Sequence, residues 1–315
     1  MSSADGRWHV AATPLGPQTA ITRFALVTGQ PDKISLFPGR WSVGGVSPTG
    51  RWAAVVGPSS RSTTRLAIVD AVRGGFVHRV ELNGSFEIET LSADGRRLFL
   101  IHHLDSSRYL VRLYDVAHGR LKTQALRASG QGAPMIGYAW SGVASPDGRW
   151  LLTLYLNTRH NHAFVHALDL ERSAPACVDL PSGGKRLGSL QRYTLTLSPN
   201  GRTLFAANPA LGVVAALDLN TLGVTRIARF APSSAGRPTR RLSAGTISRD
   251  GRTLYFSAGT GLWAYDAAYG VVRGPYPTGG RIVGFGYGLR DRTVHAVLAD
   301  GRMLTFAAAT GRRLR

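Results

Sequence analysis

The side chains that could do acid–base chemistry form two small groups in this 315-residue sequence. Glu87 and Glu89 alternate along a predicted strand, so both carboxyls should point to the same side of it. His102 and His103 follow on the next predicted strand. A carboxyl or imidazole group within hydrogen-bond reach of a substrate is a common general acid or base. These four residues are the candidate catalytic set; neutralisation of a neighbouring arginine is the alternative role for the glutamates.

Metal binding would need a different arrangement of side chains. His160 and His162 are two residues apart and His166 follows, but zinc takes three or four ligands with oriented partners. The sequence has no cysteine pair, no His-Glu-x-x-His motif and no matching carboxylate. We therefore predict no metal and no other cofactor. The single cysteine, Cys177, lies in a predicted strand, which favours an inert buried thiol.

Most of the 18 acidic residues stand where a structural role is expected. Five lie in a repeated turn, and five end an apolar strand about 20 residues further on. They are Asp5, Asp94, Asp147, Asp250 and Asp291 in the turn, and Asp70, Asp115, Asp169, Asp218 and Asp266 at the strand end. General acid–base catalysis and Ca²⁺ binding both need carboxylates that converge. The distribution therefore favours a protein that is not an enzyme.

The repeated turn is the strongest pattern in the sequence. Its fullest copy, Ser145–Trp150, reads Ser-Pro-Asp-Gly-Arg-Trp and is followed by an apolar run. Further copies begin at Ser3, Ser47, Ser92, Ser198 and Ser248. Asp-Gly and Asn-Gly supply the positive φ that closes a tight hairpin. Each copy therefore predicts an antiparallel hairpin, and each strand that ends in Asp predicts a second one.

Seven such units follow one another, with turns at positions 5, 49, 94, 147, 200, 250 and 291. Four strands in each 41 to 53 residues are typical of a β-propeller. We predict an all-β, seven-bladed propeller with four antiparallel strands per blade, as a single domain over residues 1–315. Blade 1 lacks a segment for its inner strand, and Asp300-Gly301 closes the second loop of the last blade. A β-solenoid or two sandwiches are the alternatives.

The chain resembles the WD40-like, TolB-like and YVTN-type bacterial propeller families, whose repeats carry Ser-Pro-Asp-Gly-Arg before an apolar strand. The resemblance extends over nearly the whole chain, although the Gly-His and Trp-Asp pairs of true WD repeats are absent. It implies the propeller fold. It implies no single activity, because these families include scaffolds, envelope components and enzymes.

Loops of a propeller lie at two ends of its blades, and here the two ends differ. The Asp-Gly turns are short, whereas the loops at the opposite end, the long-loop end, are long and variable. Variable loops on a rigid scaffold usually carry binding. We predict that a partner binds the basic residues of this end: Arg61, Arg108, Arg127, Arg159, His160, His162, Lys185, Arg186, Arg237, Arg240 and Arg241.

The formal net charge of +20 favours an acidic protein or another polyanion as the partner. Nucleic acid is disfavoured, because the long loops lack aromatic residues that would stack on bases. Only three of the 38 basic residues are lysines, so the base composition of a GC-rich genome is an alternative source of the charge.

Compartment and assembly follow from simpler observations. No apolar run is long enough to span a membrane, and we expect a monomer. As written, the chain has no signal region, which predicts a soluble protein. A truncated N-terminus would instead predict the cell envelope or secretion.

The sequence as a whole favours a non-enzymatic binding or scaffold propeller. The alternative is a lactonase-like hydrolase that acts on a small anionic substrate in the central channel, with Glu87, Glu89, His102 and His103 as its acid and base candidates. A subunit that assists electron transfer is a third class, supported by analogy of fold alone.

Overall fold

The computed structural model describes residues 1–60, 62–126, 134–182, 184, 186–233, 243–287 and 292–314. Apart from one short helix, the regular secondary structure of these residues consists of β-strands, which confirms the all-β prediction. The chain divides into two compact units. Unit 1 comprises Met1–Gly137, Ala144–Leu152 and Ala167–Ala176, and unit 2 comprises Tyr138–Val143, Thr153–His166 and Cys177–Arg315.

Unit 1 contains the first three antiparallel sheets, numbered here in chain order. Sheet 1 pairs β1 (Trp8–Leu15), β2 (Gln18–Ala25) and β3 (Pro31–Pro38) in sequence. Sheet 2 pairs β4 (Ser42–Val46), β5 (Trp52–Val56), β6 (Thr63–Asp70) and β7 (Phe76–Asn83) in the same way. In sheet 3, β8 (Ser85–Leu91), β9 (Arg97–His103) and β10 (Arg108–Asp115) pair in order, and β10 also pairs with β11 (Arg120–Leu121) and β12 (Met135–Ile136).

The remaining sheets repeat this order. Sheet 4 pairs β13 (Tyr138–Ala144), β14 (Trp150–Asn157), β15 (His162–Asp169) and β16 (Ala174–Asp179), and helix α1 (Leu187–Leu190) follows it. Sheet 5 pairs β17 (Thr194–Leu197), β18 (Thr203–Asn208), β19 (Val213–Asp218) and β20 (Gly223–Arg229). Sheet 6 pairs β21 (Ser243–Ile247), β22 (Thr253–Ala258), β23 (Gly261–Asp266) and β24 (Val271–Pro277). Sheet 7 pairs β25 (Ile282–Tyr287), β26 (Thr293–Leu298) and β27 (Met303–Ala307).

The repeated turn closes the first hairpin of a sheet, as predicted. In the copy that links β13 to β14, the buried Ser145 hydroxyl donates to the Asp147 carboxylate and accepts the Trp150 N–H at 2.8 Å. The Asp147 carboxylate also accepts the Arg149 N–H at 3.0 Å, and Gly148 takes a φ of 74°. Side chains thereby satisfy the backbone groups that the reversal of the chain leaves unpaired.

The aspartates that end the third strands terminate them by the same means. The Asp169 carboxylate accepts the N–H groups of Glu171 and Arg172 at 3.0 and 2.9 Å, and Asp70 does the same for Val72 and Arg73 at 3.0 Å each. These bonds hold the chain in a tight reversal. The second hairpin of these sheets therefore begins where the sequence predicted it.

Adjacent sheets within a unit share apolar clusters. In unit 1, Leu66 and Ile68 of sheet 2 pack in one cluster with Leu98 and Leu100 of sheet 3. In unit 2, the first strands β17 and β21 lie side by side. A Cβ on Gly245 would meet the Thr196 hydroxyl at 2.5 Å, so the close approach of these strands requires a glycine.

The two terminal sheets differ from the others, and each has three strands. Sheet 1 lacks a full first strand, as predicted, but Met1–Ser3 already occupies its place: Ser2 forms a bridge with His9. Beyond β27, the described residues add one bridge to sheet 7, between Phe306 and Arg313. The Asp300-Gly301 turn joins β26 to β27, as expected.

Candidate functional site

The candidate acid–base residues lie on β8 and β9 of sheet 3. The side chain of Glu87 is 69% exposed, and its carboxylate lies 3.3 Å from Nε2 of His103. Ser85, Glu87 and Glu89 are the more exposed residues of β8, whereas Phe86, Ile88 and Thr90 are buried. Strand alternation thus brings Glu87 and His103 together on one side of the sheet, in an exposed carboxylate–imidazole pair.

The other two candidates take no part in this pair. His102 points to the opposite side of β9 and stacks on Phe86, with ring centroids 4.3 Å apart. Burial, and to a smaller degree the charges of Arg112 and His103, hold the pKa of His102 below its ordinary value. Its Nδ1 has no hydrogen-bond partner in the described part of the chain. Glu89 lies at an irregularity of the register between β8 and β9.

The loop after β9 carries the first of the predicted binding arginines. The Asp105 carboxylate accepts the backbone N–H groups of Ser107 and Arg108 at 2.8 and 2.7 Å. Its other oxygen accepts Nε of Arg108 at 2.6 Å. These bonds, led by that of Ser107, hold the pKa of Asp105 well below its usual range. Arg108 is therefore partly neutralised, which the sequence analysis did not anticipate.

The other predicted binding residues divide into three groups. Arg159, His160 and Arg186 are exposed. His162 lies 3.2 Å from Asp179 and stacks on Phe164, so a carboxylate already accompanies it. The rest lie outside the described residues: Arg61, Arg127, Lys185, Arg237, Arg240 and Arg241.

His166, the third histidine of the predicted group, is wholly buried in β15. Its ring meets Tyr155 edge to face at 5.6 Å, and neither ring nitrogen has a hydrogen-bond partner among the described residues. Burial lowers its pKa to about 4. Cys177 is partly exposed, and burial, with a smaller effect of the Asp179 charge, raises the pKa of its thiol to about 11. Both groups are neutral near pH 7.

The aspartates of the repeated turns and of the strand ends bind backbone groups, as the sequence predicted. Of the ten aspartates assigned to turns and strand ends, Asp291 lies outside the described residues, and the other nine all accept backbone N–H groups. Within the described ranges, no three histidine, cysteine or acidic side chains converge as metal ligands. None of the helical residues described forms a stretch long and apolar enough to cross a bilayer.

Sequence reasoning missed a set of pockets at the Asp-Gly turns of unit 2. One, of about 440 Å³, lies between sheets 5 and 6 and is lined by Asn200, Arg226 and Arg249. A signal for it was present, because Asn200 stands where most copies of the turn carry an aspartate. A second, of about 530 Å³, lies between sheets 6 and 7 near the exposed Tyr269.

Comparison with known proteins identifies the fold to which the described sheets belong. The sequence matches no protein-family model and no curated protein. Among solved structures, it is similar to the periplasmic gluconolactonase of Pseudomonas aeruginosa, with a TM-score of 0.51 and 21% identity over 97% of this chain and 93% of that one. The Dos1 propeller gives a TM-score of 0.58 at 10% identity, over 97% and 77% of the two chains. The Cps50 (Swd1) propeller domain of Myceliophteria thermophila gives 0.53 at 11%, over 98% and 95%.

These likenesses show the fold, and the fold is a β-propeller. The propeller fold, which the resemblance of the repeated turn implies, is confirmed. The described residues form seven antiparallel sheets, which match the seven predicted blades, and the first and the last of these sheets have three strands. The similar structures include a lactonase and propellers of other kinds, so the fold alone selects no activity.

Proposed function

We propose that the protein is a non-enzymatic binding propeller that takes an acidic protein or another polyanion on its long-loop end. The observation that carries this proposal is the engagement of the aspartates: all nine described members of the two repeated positions hold turns and strand ends together. Few carboxylates remain for general acid–base chemistry, which needs them to converge on a substrate.

The distribution of arginine partners supports the choice of surface. At the Asp-Gly turns, Arg149 binds the Asp169 carboxylate at 3.1 Å, and Arg51 lies 3.4 Å from Asp70. At the long-loop end, Arg159 and Arg186 are exposed and form no ion pair with a described carboxylate. An arginine without a carboxylate partner can donate its full set of hydrogen bonds to an incoming anion.

Charge reversal tests this proposal. The variant Arg159→Glu/Arg186→Glu should bind a fluorescent glutamate oligomer about tenfold more weakly than the wild type, because two attractive contacts become repulsive. The matched control is Arg7→Glu/Arg96→Glu, which changes two exposed arginines of the Asp-Gly turns and alters net charge equally. The control should retain near-native affinity. Equal weakening in both variants would contradict a defined binding surface.

One observation favours a second candidate function, hydrolysis of a small lactone. Glu87 and His103 form an exposed pair at 3.3 Å, an arrangement that can deliver a base, and one of the similar structures is a gluconolactonase. If the protein is a hydrolase, the wild type should open gluconolactone and Glu87→Gln should abolish that rate. The control is Glu81→Gln, which removes an exposed carboxylate paired with Arg65. A wild-type rate equal to that of buffer would exclude this candidate for gluconolactone.

A further inference from the structure

We infer a binding site for a small zwitterion, a molecule that carries an ammonium and a carboxylate group close together, in the pocket between sheets 6 and 7. This pocket, of about 530 Å³, adjoins a smaller cavity of about 170 Å³, and both are lined by Thr253, Asp266, Ala308 and Ala309. The larger volume is typical of small-ligand sites. The pocket lies at an Asp-Gly turn, so the site is distinct from the long-loop end of the proposed function.

Arg273 is the group that binds the carboxylate of the ligand. It has the position on β24 that Arg226 has on β20, since each pairs with the alanine two places before the aspartate that ends the third strand. Nη1 of Arg226 donates to the carbonyls of Ala267 and Ala268 in the neighbouring sheet at 3.1 and 3.0 Å. Arg273 lines the smaller cavity, is exposed, and forms no hydrogen bond or ion pair with a described residue.

A tyrosine explains this difference between the two arginines. Tyr255 stands where sheet 5 has Phe205, and its hydroxyl donates to the Ala308 carbonyl at 2.6 Å. That carbonyl is the counterpart in sheet 7 of the first one that Arg226 binds. Burial above all raises the pKa of Tyr255 to about 12, so its hydroxyl keeps the proton that it donates. The five N–H donors of Arg273 are thus left for an oxyanion.

Asp266 is the group that binds the ammonium of the ligand, and it lines both cavities. Its Oδ1 accepts the N–H groups of Ala268 and Tyr269 at 3.0 and 3.1 Å, which holds the turn after β23. These bonds use one oxygen of the carboxylate. The other oxygen is left for a cation.

The arginine of the neighbouring Asp-Gly turn does not neutralise Asp266. In sheet 4, Arg149 of the turn binds Asp169 at the strand end at 3.1 Å. In sheet 6, the equivalent Arg252 lies 3.9 Å from Asp250, a carboxylate of its own turn. No described basic side chain is within 4.0 Å of the Asp266 carboxylate.

Asp266 and Arg273 are diagonal neighbours on one face of sheet 6. Asp266 pairs with Val271, and Arg273 pairs with Ala264, so the two charged side chains point to the same side. Diagonal neighbours have Cβ atoms about 7 Å apart, and here the two groups form no ion pair with each other. An ammonium and a carboxylate on one carbon atom can lie between them. A ligand with one charge would leave one of the two protein groups without a partner.

The larger cavity suits an aromatic side chain on that same carbon atom. Tyr269 lines it and is 83% exposed. Tyr287 also lines it, and its hydroxyl donates to the Thr253 carbonyl at 2.9 Å, which fixes the position of the ring. Aromatic rings stack or meet edge to face with other rings. The ligand that fits both cavities is therefore an aromatic α-amino acid.

Calorimetry with four compounds tests the site. Phenylalanine carries both charges and the ring, phenethylamine lacks the carboxylate, 3-phenylpropionate lacks the ammonium, and glycine lacks the ring. We expect phenylalanine to bind most tightly. Each singly charged analogue should bind about tenfold more weakly, because one charge-assisted contact is lost at a partly exposed site.

Two variants assign the charged groups of the ligand to the two residues. Arg273→Gln should weaken phenylalanine binding about tenfold but should not weaken phenethylamine binding, since that compound has no carboxylate. Asp266→Asn should weaken phenylalanine binding but not 3-phenylpropionate binding. The amide can hold the turn, because Oδ1 of Asn208 accepts the N–H groups of Ala210 and Leu211 at 3.0 and 3.2 Å.

Matched controls leave the site intact. Arg79→Gln changes an exposed arginine of the outer strand β7, and Asp218→Asn changes the strand-end aspartate of sheet 5. Both should bind phenylalanine as the wild type does. Arg159→Glu/Arg186→Glu should also bind it normally, so this site and the proposed function fail or succeed separately.

The inference is overturned if none of the four compounds binds, or if phenethylamine or 3-phenylpropionate binds as tightly as phenylalanine. It is also overturned if folded Arg273→Gln retains the wild-type affinity for phenylalanine. Glycine binding as tight as that of phenylalanine would overturn the role of the larger cavity.

Discussion

At the scale of single residues, the histidines show how strongly the local environment determines the exposure and the hydrogen bonding of an imidazole. His103 is exposed beside Glu87, His162 is half-buried beside Asp179, and His166 is buried with no hydrogen-bond partner among the described residues. An imidazole that cannot form hydrogen bonds is destabilised further when it gains a proton, because burial penalises the charge. His166 should therefore link stability to pH.

The first prediction concerns this linkage. The folded pKa of His166, about 4, lies below the ordinary value of 6.5, so the unfolded chain binds more protons as the pH falls. The contribution of His166 to the free energy of unfolding is constant above pH 6.5. This part of the stability is lost as the pH drops from 6.5 toward 4. Between pH 7.5 and 5 this group should lower the free energy of unfolding by about 2 kcal/mol.

His166→Leu should lack that part of the pH dependence, measured by urea unfolding at the two pH values. His160→Gln, in an exposed loop, is the control and should keep the wild-type dependence. If His166→Leu loses as much stability between pH 7.5 and pH 5 as the wild type, the buried imidazole does not cause that loss.

The sequence allowed part of this site to be predicted. Glu87 and His103 were both named from their residue types, but His102 was named with them although strand alternation turns it to the other side. The burial of His166 was not predictable, because it depends on Tyr155 from the adjacent strand. The Asn200 pocket was missed because its residues come from two sheets and are up to about 70 positions apart in the chain.

At the scale of elements, the repeated turn is an autonomous local structure. Each copy is closed by bonds between residues at most five positions apart, so the sequence pattern alone determines it. This locality explains why the hairpin positions were predicted correctly. The hairpin of β1 and β2 was not, since it is closed by Gly16-Pro17, with Gly16 at a φ of 59°, and not by Asp-Gly. Its second strand runs over Gln18–Ala25.

The second prediction compares two copies of the turn. Ser145→Ala removes a buried hydroxyl that bonds both the Asp147 carboxylate and the Trp150 N–H, and should lower the free energy of unfolding by about 2 kcal/mol. Ser47→Ala is the matched control, because Ser47 accepts the Trp52 N–H at 3.0 Å but has Thr49 in place of the aspartate.

Ser47→Ala should cost about half as much, since the bonds lost, from the Trp52 N–H at 3.0 Å and with the Thr49 hydroxyl at 3.5 Å, are both neutral and no carboxylate loses a donor. Urea unfolding of both variants measures the difference. Equal losses would mean that the carboxylate contributes nothing to the turn.

At the scale of the whole molecule, the net charge of +20 has more than one origin. Some of the arginines belong to the repeat and bind its own aspartates, as Arg149 binds Asp169 and Arg51 approaches Asp70. The sequence could predict the positions of both residues in each pair, but their contact follows only from the hairpin geometry. The exposed arginines of the long loops are those that the proposed function assigns to a partner.

The central claim is that binding of an acidic partner depends on the long-loop end and not on total charge. The most direct measurement is the salt dependence of glutamate-oligomer binding for the wild type, Arg159→Glu/Arg186→Glu and Arg7→Glu/Arg96→Glu. Salt weakens an interaction in proportion to the charged contacts it contains. We predict a shallower dependence of affinity on salt for the long-loop variant and a wild-type dependence for the turn variant. The same reduction in both variants would contradict the claim.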